Sequence, residues 1–184
     1  MDIVAGSQDV LAYWFGELGR PDWFSGRPEI DEEIRRRFGA SCEAALGTSP
    51  GDHLADPRTA LAGIVMLDQF PRQVFRGEAR AFAGDPVALA VAHGVIDRQW
   101  DAGMTADERM FLYMPLMHSE VLSDQELCVK LFRDLGDEEA LAFAIEHRDI
   151  VARFGRFPHR NRALGRATTP QEAEFLQEHA GYGQ

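Results

Sequence analysis

Lysine is almost missing from this chain: of nineteen basic residues only Lys130 is not arginine, and thirty acidic residues leave a net charge of -11. An acidic surface of this kind repels phosphate backbones and anionic headgroups at long range. Nucleic acid and membrane are therefore not expected as partners. Cysteine is equally scarce. Cys42 and Cys128 stand far apart with no Cys-x-x-Cys spacing, which signals neither a disulfide framework nor a zinc site. A long apolar run is absent too. The strongest, Thr59 to Leu67, is closed by Arg58 and Asp68, well short of the roughly 20 residues that a membrane span requires. The opening Met-Asp-Ile-Val-Ala-Gly-Ser lacks the basic start and apolar core of a signal peptide. These features predict a cytoplasmic protein.

Catalytic fingerprints are missing as well. The chain has no His-Glu-x-x-His, no Asp-rich calcium loop, no P-loop, no dinucleotide fingerprint and no Gly-x-Ser-x-Gly. No metal and no cofactor are expected. Alternating strand patterns with hairpin turns are also lacking.

What is present is helical periodicity. Ile30, Ile34, Phe38, Cys42 and Leu46 recur every four residues, the spacing of one helix face. Val10 to Gly16 reads as a short aromatic helix with Ser7 or Asp9 as its cap. Asp56-Pro57 and Asp85-Pro86 read as N-cap followed by proline at the first helical position. The near-continuous apolar run after Pro57 predicts a central helix, ended by Pro71. Thr105 to Glu108, Ser123 to Glu126 and Thr169 to Glu172 have capping-box spacing. A last long helix is predicted over 138–154, with Leu141, Ala144, Ile145, Arg148, Val151 and Phe154 on one stripe. The sum is an all-α chain, one domain over residues 1–184, with about eight helices packed as antiparallel pairs. The 34-residue repeat and the tryptophan, glycine and tyrosine consensus of tetratricopeptides are absent.

Against the acidic background one stretch stands out. From Arg153 to Arg166 the chain carries five arginines (153, 156, 160, 162 and 166), one histidine and no acid. Two further segments are polar in ways that amphipathicity does not require: Leu67 to Phe82, with Arg72, Arg76 and Arg80 at four-residue spacing, and Phe111 to Gln125, with His118, Glu120 and Asp124.

These segments carry a resemblance over almost the whole chain. Val10 to Gly16, Trp23-Phe24, Asp68 to Arg72, Phe75-Arg76-Gly77, Ala81 to Ala83, Phe111 to Glu120, Phe154 to Arg166 and Thr168-Thr169-Pro170 resemble the bacterial family known as domain of unknown function 924. Gln73 stands where that family commonly has Asn, and Arg162 replaces a more variable residue. The resemblance implies a tetratricopeptide-like helical fold. It implies no activity.

The residues themselves point two ways. Guanidinium groups hold carboxylate or phosphate by bidentate, charge-assisted hydrogen bonds. If the three segments face one cavity, Arg72, Arg76, Arg80, Gln125, His147, Arg153, Arg156, His159, Arg160 and Asn161 form the expected ligand site. Its occupant would be a small anionic molecule or an acidic peptide, with Phe70, Phe75, Tyr113 and Phe157 as aromatic walls. The same arginines could instead pair within the fold with Asp68, Glu120, Asp124 and Glu146. The alternative function is acid–base chemistry of hydrolase type, with His118 or His159 working beside Asp68 or Glu120, since general bases must sit within hydrogen-bond reach of their partners.

Overall fold

The computed structural model describes residues 3–179. Met1, Asp2 and residues 180–184 lie outside the described residues, and with them part of the N-terminal reading and the edges of the expected single domain. Among the described residues the chain is helical, with no strand. The longer helices are α1 (Ile3–Ala12), α3 (Pro28–Ala45), α4 (Pro57–Ile64), α6 (Asp85–Asp97), α7 (Ala106–Met117), α8 (Leu122–Leu135), α9 (Glu138–Phe154) and α10 (Pro170–Glu178). Short α2 (Arg20–Trp23) and α5 (Phe70–Val74) complete the set.

α4 and α5 form one rod at the centre. Every residue from Thr59 to Arg72 is buried: the run to Leu67 is apolar on nearly all sides and has to be, and it carries Asp68, Gln69 and Arg72 in with it. α1, α3, α6 and α7 pack around it, and α8 and α9 extend the array as a hairpin. Between α7 and α9 each helix folds back on its predecessor through a connection of two to four residues. Rings interlock where α2, α5, α7 and the π-turn that follows α1 (Tyr13–Glu17) meet. Trp14 lies edge-on to Phe70 at 5.6 Å and to Phe111 at 5.3 Å, and Trp23 donates from its indole nitrogen to the Trp14 carbonyl at 2.8 Å. Such aromatic pairs stabilise by about 0.5–1.5 kcal/mol beyond their area.

Several expectations about helix ends hold. Asp56 caps α4 by accepting from the Arg58 and Thr59 amides, and Thr105 and Thr169 form reciprocal capping boxes with Glu108 and Glu172. The stripe of α3 is buried at Ile30, Ile34, Phe38 and Cys42. Others fail. Ser7 and Asp9 lie inside α1, which begins earlier than its aromatic residues suggest. Ser123 lies within α8, and the Ser119 hydroxyl accepts from the Val121 amide instead. Asp85 makes no cap. On α9 the buried positions are Ala144, His147, Ile150 and Val151, while Arg148 pairs with Asp149 nearer the surface.

Pro71 does not end the central helix. The backbone widens into a π-turn over Val65–Gln69, in which the Phe70 amide bonds the Val65 carbonyl, and the rod runs on to Val74. Proline has no N–H and collides with the carbonyl four residues back. A wider turn makes room for its ring. That carbonyl belongs to Leu67, and it points at Gly84: a Cβ on Gly84 would lie 2.2 Å from the Leu67 oxygen. The glycine lets α6 start against the widened turn.

Candidate functional site

Asp68 sits inside the π-turn and is fully buried. π-turns within α-helices are rare and frequent at functional sites. Both carboxylate oxygens of Asp68 receive the Nδ1 nitrogen of His118, at 2.8 and 3.0 Å. His118 stands at the C-terminal end of α7. Gln69 also donates to Asp68, and Arg72, one turn on, lies 3.2 Å from it. Arg72 reaches further, to Asp85, with two parallel bonds of 2.9 and 3.1 Å. Arg160 meets the same Asp85 at 3.2 Å, its guanidinium held between the Phe82 and Phe157 rings at 4.8 and 4.6 Å. Asp85 occupies the first position of α6, where the helix dipole favours a negative charge.

The electrostatics follow from this packing. Burial pushes the Asp68 carboxyl up, but Arg72 and then His118 outweigh it and hold the group below the usual carboxylate range. Burial, followed by the Arg72 charge, keeps the His118 imidazole below its ordinary value, against the pull of Asp68. Burial brings Arg160 down to about 10, which leaves it charged. His118 is therefore neutral at neutral pH with its proton on Nδ1, facing Asp68. Among the described residues no protein group bonds its Nε2, and His118 retains 9% of its surface.

Two more histidines adjoin. The His147 ring lies 6.4 Å from that of His118, and its Nδ1–H donates to the Phe143 carbonyl at 2.8 Å. Burial and the neighbouring His118 hold His147 down to about 3. His159 follows across Phe157 and is lowered to about 4 by burial and then by Arg160. Two aspartates, two arginines and three neutral imidazoles thus share one nearly closed region. Its two positive and two negative charges balance. The Nε atoms of Arg72 and Arg160 are buried there with no acceptor. Among the described residues no group of three or more His, Cys, Asp or Glu is placed to hold a metal ion.

The three polar segments therefore meet, but the wide arginine-lined pocket does not form. Beyond Val74 the helix stops, so Arg72, Arg76 and Arg80 no longer share a face: Arg76 pairs with Asp31 and Arg80 with Glu43, both on α3. Arg156 grips Glu172 of α10 at 2.6 and 2.8 Å and holds that carboxyl down to about 2. Arg153 lies over the Phe154 and Phe175 rings. Gln125 is spent on α7, donating to the carbonyls of Leu116, Met117 and Ser119. Asn161 donates to Glu172 and Thr168 and accepts from Arg166. Glu120 does not join His118. It takes two bonds from Arg166, at 2.8 and 3.0 Å, and one from the Phe157 amide at 2.7 Å. Of the expected internal partners, Asp124 binds Ser119 and His93 rather than arginine, and Glu146 binds His179. Sequence reasoning missed Asp85 and Glu172 as ionic partners, because a carboxylate in the first turn of a helix reads as a capping residue.

Fold and cluster together define an all-helical protein built round a buried carboxylate–imidazole pair. The chain belongs to the DUF924 family of bacterial proteins of unknown function, whose model matches residues 10–180. A solved structure of a protein of unknown function from Agrobacterium tumefaciens is similar throughout. It has 39% identity and a TM-score of 0.89 over 97% of this chain and 100% of that one. No curated protein matches. Among the described residues no helix is long and apolar enough to cross a membrane.

Proposed function

We propose that the Arg72–Asp85–Arg160 centre, beside Asp68 and His118, binds a small molecule through a carboxylate or phosphate group. The observation that carries this reading is the pair of buried Nε–H donors without acceptors on two guanidiniums that share one carboxylate. A buried donor left unmade costs about 1–3 kcal/mol, and an incoming oxyanion would recover part of that. The narrow exposure of Arg72 and His118 favours a small ligand over an acidic peptide tail. So does the engagement of Arg76, Arg80 and Arg156 elsewhere. The protein would act as one tetratricopeptide-like helical unit in the cytoplasm, a setting supported by its two buried free thiols.

The test is a thermal-shift screen with inorganic phosphate and a panel of phosphorylated and carboxylated metabolites. Binding to the folded state raises the midpoint by mass action. The expected result is a shift that Arg160→Gln abolishes and Arg80→Ala preserves. A panel that shifts nothing, or shifts that survive Arg160→Gln unchanged, would overturn the reading.

A second reading, acid–base catalysis, is favoured by the Asp68–His118 geometry. With Nδ1–H fixed on the carboxylate, Nε2 is the nitrogen left to take a proton from a bound substrate or water. Glu120 is occupied by Arg166, so Asp68 is the carboxylate that supports this role. A ligand found in the screen should then be turned over by the wild type. His118→Gln should stop turnover while keeping the thermal shift.

A further inference from the structure

The helix over the histidine side of the cluster is attached unlike the others. α10 buries only one residue completely, and that residue is a carboxylate, Glu172. Its N-terminal end is tied by the Thr169 capping box and by the Glu172 bonds to Arg156 and Asn161. Its C-terminal end is held by partly exposed side chains. Phe175, half-buried, packs on Phe154 at 5.1 Å, and the following His179 bonds Glu146 of α9 at 2.6 Å. The apolar residues beneath (Ile150, Val151 and Phe157) form a small cluster separate from the main core. His179 lies over His159 with the rings nearly parallel, 8° apart, at 6.4 Å. An element with few buried apolar contacts belongs to the low-stability end of a fold and opens locally before the rest.

We infer that α10 is a lid over the histidine face of the cluster, hinged at the Glu172–Arg156 clasp and latched by His179 on Glu146. Opening lifts Phe175 and His179 away together and exposes His159. The face behind it, His147 and Phe157, then becomes the entry to His118. The lid goes beyond the ligand reading and does not depend on which molecule binds.

Hydrogen–deuterium exchange on the full chain tests it, paired with diethyl pyrocarbonate modification mapped by mass spectrometry. In the wild type, α10 peptides should exchange well ahead of α8 peptides. Glu146→Gln and, independently, Phe175→Ala should each speed α10 exchange about tenfold or more, leave α8 unchanged and raise the modification rate of His159. α10 exchanging in step with α8, or His159 reacting at one rate in all three proteins, would overturn the lid. Neither readout uses a ligand. An empty metabolite screen therefore sinks the binding reading alone, and unchanged exchange sinks the lid alone.

Discussion

Replacing Asp68 with asparagine tests whether the buried pair is an ionic centre. The amide keeps the shape and one bond to His118 Nδ1–H but removes the charge. Breaking a buried pair by removing one partner costs about 3–5 kcal/mol, because the other charge is left uncompensated. Here Arg72 keeps its two bonds to Asp85, so the low end, about 3 kcal/mol, is expected. For a chain of this length each kcal/mol moves the melting midpoint by about 2–4 °C, which makes the fall about 6–12 °C. The assays are thermal melting for the midpoint and urea unfolding for the free energy, both followed by circular dichroism, with an unchanged m-value marking a pure stability loss. Arg80→Ala, whose pair with Glu43 is exposed, is the control, and it should cost less than about 1 kcal/mol. A nitrogen-15 spectrum adds a second reading. The His118 pKa should drop further in Asp68→Asn, since the anion that opposes burial is gone. A loss no larger than that of Arg80→Ala, or a His118 pKa that rises, would refute the assignment of Asp68 as the counter-charge of this centre.

Two further outcomes follow from the same structure. Gly84→Ala should destabilise by about 1–3 kcal/mol, since its methyl would lie 2.2 Å from the Leu67 carbonyl, a backbone atom that cannot swing aside; urea midpoints check it. Stability should also fall as the medium is acidified. His147 is held down to about 3 and His159 to about 4, while in the unfolded chain both take a proton near pH 6.5. The unfolded state therefore binds more protons between those values, and each contribution is lost as pH drops below about 6.5. At about pH 5 His147 alone accounts for about 2 kcal/mol. His147→Gln should flatten the curve, and midpoints that stay level from about pH 7 to about pH 5 would contradict it.

The helical class was legible because it rests on periodicity. The α3 stripe, the apolar centre at Thr59 to Leu67 and the Thr105 and Thr169 boxes are local signals, and the fold keeps them. The three polar segments also announced themselves, since arginines in an acidic chain need partners. What the sequence hid was which carboxylate goes to which arginine. Asp85 looked like a cap because capping and ion pairing use the same residue at the same place. Arg76 and Arg80 looked like continuations of Arg72 because four-residue spacing implies a shared face only while the helix lasts, and this one stops at Val74. Pro71 looked like a terminator because the remedy, one widened turn, leaves no mark in the residue pattern.

That widened turn acts as a phase shift. A regular α-helix advances about 100° per residue, so one additional residue in a turn rotates everything after it by that angle. Upstream the rod is apolar on all sides and its rotation matters little. Downstream the rotation decides whether Arg72 faces Asp85 and Phe82 or open water. Losing any one residue between Val65 and Gln69 would restore the ordinary ladder and press the proline ring back against a carbonyl. An ordinary ladder through the unchanged sequence would instead turn Arg72 away from Asp85, with the same composition and hydropathy. The facing of Arg72 is thus set by how many residues the turn takes up, a quantity separate from the carboxylate and amide that Asp68 and Gln69 bring to the centre from inside it.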